Sequence, residues 1–197
     1  MALALALVYS RANIGIEAPL VTVEVHLSSG LPAFNIVGLP ETAVKESRER
    51  VRSAILNANL EFPQRRITIN LAPADLPKAG GRFDLAIAVG ILAASRQIDK
   101  EKISQMEFMG ELALTGEVRR VSGLLPGLLA GTRAGHYCVV PPANALEAGL
   151  LQQGDIGLCN HLQQLLQSLH DNLALQKPEP PALPDEVTTL DYADVVG

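Results

Sequence analysis

Basic side chains form the most concentrated set of chemically active residues in the sequence. Lys45, Arg48 and Arg52 recur at spacings of three and four, so they share one face if the segment is helical. The doublets Arg65-Arg66 and Arg119-Arg120 add further charge. Such residues can contact nucleic-acid phosphates, or they can be a solvated helix face, because acidic residues are interleaved with them. The interleaved acids are Glu41, Glu46 and Glu49.

Motifs for cofactor or metal chemistry are absent from the sequence. No G-x-x-x-x-G-K-[ST] loop occurs, so we predict that this chain binds no ATP. Gly80-Gly81 can present backbone amides to an anion, but a lone Gly-Gly pair favours a tight turn that needs positive φ. The histidines and cysteines show no metal-ligand spacing, which predicts no metal site. They are His26, His136, His161, His170, Cys138 and Cys159.

The composition indicates a folded, aliphatic protein. Hydrophobic residues make up 48% of the 197 residues and charged residues 19%, which excludes wholesale disorder. The net charge of −5 has the wrong sign for a stand-alone nucleic-acid binder. The apolar residues 1–8 are too few to cross a bilayer, which takes about 20, and no basic segment precedes them. We therefore predict that residues 1–8 form a first β-strand. The protein is expected to be cytoplasmic and to have no membrane partner.

The elements that position the basic residues begin as strands. Alternating valines in Leu20–Ser28 predict a half-buried strand, and a turn at Ser29-Gly30 predicts an antiparallel hairpin with Ala33–Val37. A helix is expected after Pro40, followed by a strand at 66–71. The buried stripe predicted for this helix consists of Val44, Ser47, Val51, Ala54 and Ile55.

The second half of the chain mixes helices and strands. Asp84 is predicted to be the N-cap of a helix at 85–95, and a hairpin is predicted between 108–114 and 118–121. Further helices are expected at 124–133, 143–152 and 161–171, with strands at 137–140 and 156–159. The pattern predicts an α+β fold in two layers, with helices on one face of a mixed sheet.

The end of the sequence differs in composition. Residues 177–184 (KPEPPALP) contain four of the 13 prolines, which favours an extended linker. We therefore predict a domain at 1–174 and a proline-rich linker at 175–197. The residues after the prolines are too few to form a domain, so we expect the chain to be part of a longer protein.

Three stretches resemble one protein family. They are residues 38–54 (GLPETAVKESRERVRSA), 69–85 (INLAPADLPKAGGRFDL) and 110–123 (GELALTGEVRRVSG). They are similar to the N-terminal domain of the magnesium-chelatase-like AAA+ proteins called ComM or YifB, and the resemblance extends from residue 8 to 197. The final D-Y-A-D-V-V-G resembles the segment that leads into that family's ATPase module.

The same domain resembles the proteolytic domain of Lon and the Lon-like domain of RadA. The resemblance implies the two-layer fold named after the second domain of a small-subunit ribosomal protein. Lon carries its Ser in P-K-D-G-P-S-A-G and its Lys in G-G-L-K-E-K. Residues 77–84 here read P-K-A-G-G-R-F-D and 122–126 read S-G-L-L-P, so Arg82 and Leu125 replace the nucleophile and the base. Neither residue can serve in a Ser-Lys dyad, and Lys78, the nearest spare amine, has no partner Ser.

The resemblance implies a non-catalytic domain within a larger motor. In the family, ATP and Mg²⁺ belong to the AAA+ module, the partners are that module and neighbouring subunits of a homo-hexamer, and the full protein is an ATP-dependent DNA helicase of branch migration in natural transformation. The domain is then expected to support ring assembly and DNA guidance, with Lys45, Arg48, Arg52, Arg65 and Arg66 as candidate contacts. The alternative is a chaperone-like or protein-partner module. A residual Lon-like peptidase is the third possibility.

Overall fold

A seven-stranded mixed sheet forms the centre of the structure, a computed structural model that describes residues 4–37, 42–78, 80–151 and 153–181. The strand order is β3-β4-β2-β1-β5-β8-β9, and β6 and β7 form a separate pair. The strands are β1 Leu5–Arg11, β2 Leu20–Ser28, β3 Ala33–Val37, β4 Arg66–Ala72, β5 Met106–Phe108, β6 Glu111–Leu112, β7 Val118–Arg119, β8 Tyr137–Val140 and β9 Ile156–Leu158. The helices are α1 Thr42–Asn57, α2 Asp84–Ala94, α3 Lys100–Ile103, α4 Leu125–Arg133, α5 Ala145–Gly149 and α6 Leu162–Asp171.

The predicted alternation of β2 is confirmed and faces the main core. Val21, Val23 and Val25 are fully buried, and the polar residues between them lie on the other face of the sheet. Helix α2 is buried along its whole length and covers this face. Gly90 permits the close approach, because a Cβ atom there would lie 2.5 Å from Val25 Cγ2.

Helix α1 forms as predicted and carries its apolar stripe inward. Ser47, Val51, Ala54 and Ile55 are fully buried. Pro40 lies outside the described residues, and nothing is described of the Val44 side chain.

The predicted hairpin between β2 and β3 is wrong, because β4 lies between them. β4 pairs antiparallel with β2 and parallel with β3. The parallel pair requires a long crossover, which α1 supplies between β3 and β4. Ile67, Ile69 and Leu71 of β4 are fully buried and suit a central strand, whereas β3 is partly exposed and occupies the edge.

The α+β prediction is confirmed, and the helices lie on one face for the β3-β4-β2-β1 half of the sheet. Beyond β1 the arrangement differs. In β8, Val139 belongs to the main core, whereas Cys138 and Val140 belong to a second apolar cluster that includes Leu128 of α4. This half is covered on both faces, as strands in parallel pairs usually are.

The predicted N-cap role of Asp84 is wrong. Asp84 is the first residue of α2, a 3₁₀ turn at Gly81–Phe83 precedes it, and no side chain caps the helix. Its carboxylate instead accepts hydrogen bonds from Arg50 Nε at 2.8 Å and from the Leu112 N–H at 3.2 Å. The Asp84 carboxylate therefore binds Arg50 and Leu112, which are distant in the sequence, and does not cap its own helix.

The remaining predicted elements are present, but several bounds differ: the strand predicted at 137–140 has those bounds, and β4 extends one residue beyond the predicted 66–71. The second hairpin is limited to β6 and β7, and the predicted helix at 143–152 is limited to a 3₁₀ turn and α5. His161 is the N-cap of α6, where Nδ1 accepts a hydrogen bond from the Gln163 N–H.

The segment after α6 lies against the domain up to residue 181. Leu175 is buried, the Leu158 N–H donates to the Gln176 carbonyl, and Lys177 Nζ lies 3.8 Å from Asp155 Oδ1. The division into a domain at 1–174 and a linker at 175–197 stays a prediction. None of the helices formed by the described residues is long and apolar enough to cross a membrane.

Candidate functional site

Three arginines of the predicted basic set converge on one concave surface. Arg48 and Arg52 come from α1, and Arg65 comes from the segment that leads into β4. Together with Phe34, Phe62 and Glu49 they line a cavity of about 320 Å³, which we call the basic groove. The three arginines are exposed, so their charged ends are accessible to a ligand.

Contacts with Phe34 and Phe62 order two of the three arginines, Arg48 and Arg52. The ring centres of Phe34 and Phe62 are 5.9 Å apart, and Phe62 is buried where the chain turns back from α1 towards β4. The guanidinium carbon of Arg52 lies 5.7 Å from the centre of the Phe62 ring, a cation–π contact. Arg48 Nη1 donates to the Phe34 carbonyl at 3.3 Å. The basic groove therefore depends on the segment between α1 and β4, which places Arg65 beside α1.

The basic groove carries excess positive charge in an acidic protein. It contains three arginines against one glutamate. Within the described residues, none of the three arginines forms an ion pair, although acidic residues are interleaved with them in α1. The charges of Arg48, Arg52 and Arg65 are thus available for an anionic ligand.

The other two predicted contact residues do not line the groove. Lys45 is exposed on α1, three residues before Arg48 and on the same helix face. Arg66 alternates with the inward-facing Ile67 and therefore lies on the opposite face of β4. The sequence doublet Arg65-Arg66 is split between two faces of the molecule.

A buried ion pair next to this helix face could not be found from the sequence. Arg50, the basic residue offset from the predicted face, binds Asp84 through Nε and Nη2 and also donates to Ser47 Oγ. The hydrogen bond to the Asp84 carboxylate raises the pKa of Arg50. The partners are 34 positions apart, and the sequence between them carries no pattern that relates them.

The two turns that resemble those of Lon lie side by side. Arg82 is 8% exposed, and it donates through Nη2 to the Ser122 carbonyl and through Nη1 to the Arg11 carbonyl. Leu125, half-buried, is the first residue of α4. A cavity of about 340 Å³ lies at these turns, and we call it the turn pocket. Its polar lining residues are Asn13, Arg82, Glu111, Arg120 and Ser122.

The spare amine of this region is already bound. Lys78 is fully buried, and its Nζ donates to the carbonyls of Pro73 and Leu76. Burial lowers the pKa of Lys78, but the side chain closes the loop after β4 and is not among the lining residues of the turn pocket. That this chain lacks peptidase chemistry stays a prediction.

The two cysteines and His136 make contacts within the fold. Among the described residues, no group of three or more histidines, cysteines or acids could hold a metal ion. Burial raises the pKa of Cys138 to about 12 and that of Cys159 to about 11, so both thiols stay protonated at neutral pH. The fully buried Glu107 accepts hydrogen bonds from Arg11 Nε at 2.8 Å and Nη2 at 2.6 Å, and its Oε1 lies 2.8 Å from His136 Nδ1.

Comparison with known proteins gives one family and several relatives. The family model of subunit ChlI of Mg-chelatase matches residues 23–144. The uncharacterized protein YifB of Salmonella typhimurium is 48% identical over 195 residues, which cover 99% of this chain and 38% of YifB. The competence protein ComM of Haemophilus influenzae is 48% identical over 200 residues, which cover 99% of this chain and 39% of ComM.

A more distant relative matches a shorter segment. The DNA repair protein RadA of Streptococcus pyogenes is 38% identical over 87 residues, which cover 41% of this chain and 19% of RadA. The chain spans about two fifths of the length of the YifB and ComM relatives that it matches.

Proposed function

Since the chain belongs to the family of subunit ChlI of Mg-chelatase, we propose that it is a non-catalytic domain that guides DNA and supports ring assembly in an AAA+ protein. The resemblance to ComM and YifB predicted this family. ATP and Mg²⁺ belong to an AAA+ module outside this chain, which drives a homo-hexameric helicase in the cytoplasm. The name of one relative, the DNA repair protein RadA, supports a role with DNA.

The observation that carries the proposal is the basic groove. DNA affinity comes largely from cations that contact phosphates, and the groove presents three arginines that form no ion pair with other described residues. A local patch acts within about 10 Å at 0.1 M salt, so the distant net charge of −5 does not cancel it. Contacts with Phe34 and Phe62 order Arg48 and Arg52 before binding, which lowers the entropy that these two side chains lose on binding.

Ring avidity is essential to this role. A few phosphate contacts alone give a dissociation constant on the order of 10⁻⁴ M or weaker, and several subunits around one DNA multiply that affinity. We therefore expect weak DNA binding by the 197-residue chain and much tighter binding by the full-length ring.

The test is DNA binding by the full-length protein with Arg48→Ala and Arg52→Ala together. The matched control is Arg119→Ala with Arg133→Ala, which removes the same charge from two exposed residues outside the groove. The groove variant should lose at least about tenfold in affinity, and the control should lose less than about threefold. Normal DNA binding by a groove variant that fails to form rings would make this surface an assembly surface instead.

The edge strand supports a second candidate function. β3 lies at the end of the sheet, and Val37 at its end is 47% exposed. An open edge can pair with an extended peptide, as a chaperone-like or protein-partner module requires. The two functions differ in salt dependence, because peptide pairing along an edge releases few counterions.

A further inference from the structure

The turn pocket contains the buried guanidinium of Arg82, which is attracted by the Glu147 carboxylate but makes no ion-pair contact with it. Arg82 is 8% exposed and forms no ion pair with any described residue. Its two hydrogen bonds go to backbone carbonyls, so three of the five guanidinium N–H groups have no acceptor among the described residues. A buried charge is costly unless an anion or several acceptors compensate it. Arg82 lines the turn pocket and therefore keeps donors for an anionic ligand that enters it.

A second cation and two glycines complete the surroundings of Arg82. Arg120 lines the same pocket, and its side chain is 68% exposed and lies 3.5 Å from Glu147. Gly80 has a φ of +74°, and a Cβ atom on Gly81 would lie 2.5 Å from the Glu111 side chain. Because neither Gly80 nor Gly81 has a side chain, the backbone of this turn is accessible from the pocket.

The acidic residue in the pocket restricts the class of ligand. Glu111 lines the cavity together with Arg82 and Arg120, so an anion that binds there also meets a carboxylate. A nucleic-acid backbone, which presents only acceptors on its phosphates, would leave Glu111 unpaired and repelled. A peptide end carries a carboxylate and an N–H group close together, and it can satisfy the arginines and Glu111 at once.

We propose that the turn pocket binds the C-terminal carboxylate of a polypeptide, with Arg82 and Arg120 on the carboxylate and Glu111 on the adjacent backbone N–H. A guanidinium matches a carboxylate with two parallel hydrogen bonds, which favours this ligand over a single-point acceptor. The cavity of about 340 Å³ admits the last residues of a chain, not a folded domain. The site is separate from the basic groove and does not depend on DNA guidance.

The test is an NMR titration of the 197-residue chain with acetyl-Ala-Ala-Ala that has a free carboxylate. Its C-terminal amide and inorganic phosphate serve as comparison ligands. The free acid should shift the backbone amide signals of Gly80 and Gly81 with a dissociation constant on the order of 1 mM. The amide should bind at least about tenfold more weakly, because it removes the charge that faces Arg82.

Variants separate the roles of the lining residues. Arg120→Ala, at an exposed side chain, should weaken the free acid about threefold to fivefold. Glu111→Gln should strengthen phosphate binding, because it removes the repulsion, while it weakens the peptide. Arg82→Lys keeps the charge without the planar fork and should bind more weakly than the unaltered chain.

Three outcomes would overturn the proposal. They are equal shifts with the acid and its amide, phosphate binding as tight as the peptide in the unaltered chain, and no effect of Arg120→Ala. The peptide comparison uses the unaltered chain, so the conclusion stands even if a variant of the buried Arg82 does not fold.

Discussion

Arg50 and Asp84 join the start of α2 to α1 through a hydrogen-bonded ion pair. Arg50 Nε lies 2.8 Å from Asp84 Oδ2, and the Asp84 side chain is fully buried. The same carboxylate accepts the N–H of Leu112, so it also connects β6 to this junction. One acidic group thus fixes three elements around the turn that carries Arg82.

Removal of Asp84 should be strongly destabilising. Asp84→Ala removes the buried carboxylate to which the part-buried Arg50 donates, and breaking such a pair costs about 3 kcal/mol in the free energy of unfolding. Urea denaturation measures the loss. Arg50→Leu together with Asp84→Leu should recover part of it, because no uncompensated charge remains. A loss below about 0.5 kcal/mol for Asp84→Ala would contradict the structural role.

Gly90 should tolerate no side chain. In Gly90→Ala the new methyl group would lie 2.5 Å from Val25 Cγ2, and Val25 is a β-branched residue that cannot easily move. We expect overpacking to cost about 1–3 kcal/mol and to exceed the helix-propensity gain of about 1 kcal/mol. The cost should decrease in a Val25→Ala background, where thermal unfolding shows whether the two changes compensate.

DNA binding by the full-length ring should weaken steeply with salt. Each arginine that contacts a phosphate adds about 0.9 to the slope of log K against log salt concentration. Arg48→Ala with Arg52→Ala should lower that slope by one to two for each subunit engaged, while folding of this exposed helix face changes by less than about 0.5 kcal/mol. An unchanged slope in this variant would show that the basic groove does not contact DNA.

The chain should show no peptidase activity in a casein or peptide assay. A Ser-Lys dyad needs a hydroxyl and an amine that accepts its proton, and Arg82 and Leu125 supply neither. Arg82→Ser alone should stay inactive, because position 125 still lacks a base. Activity of the unaltered chain that serine-directed reagents abolish would show that the turns have been aligned wrongly.

The chain should also bind no ATP. The sequence contains no loop whose backbone amides and Lys could hold the phosphates. Calorimetry of the 197-residue chain with ATP and Mg²⁺ measures this directly. A micromolar dissociation constant would contradict the assignment of ATP to a module outside the chain.

Local patterns determined much of this structure in advance. The alternation in β2 and the stripe on α1 predicted which residues are buried, because side-chain direction follows the period of each element. The motifs at 38–54, 69–85 and 110–123 predicted the family, since they are long and specific. The same patterns named Arg48, Arg52 and Arg65 as contact candidates.

Only the tertiary structure decided how these elements meet. Strand order depends on which strand buries the most apolar surface. The more buried β4 therefore lies between β2 and β3, although β3 follows β2 in the sequence. The tertiary structure also gave Arg65 and Arg66 different environments and paired Asp84 with Arg50. It buried Arg82 without an ion pair to any described residue. Arg50 and Asp84 are 34 positions apart, and Arg82 and Ser122 are 40 positions apart. No local period or propensity encodes contacts over such distances.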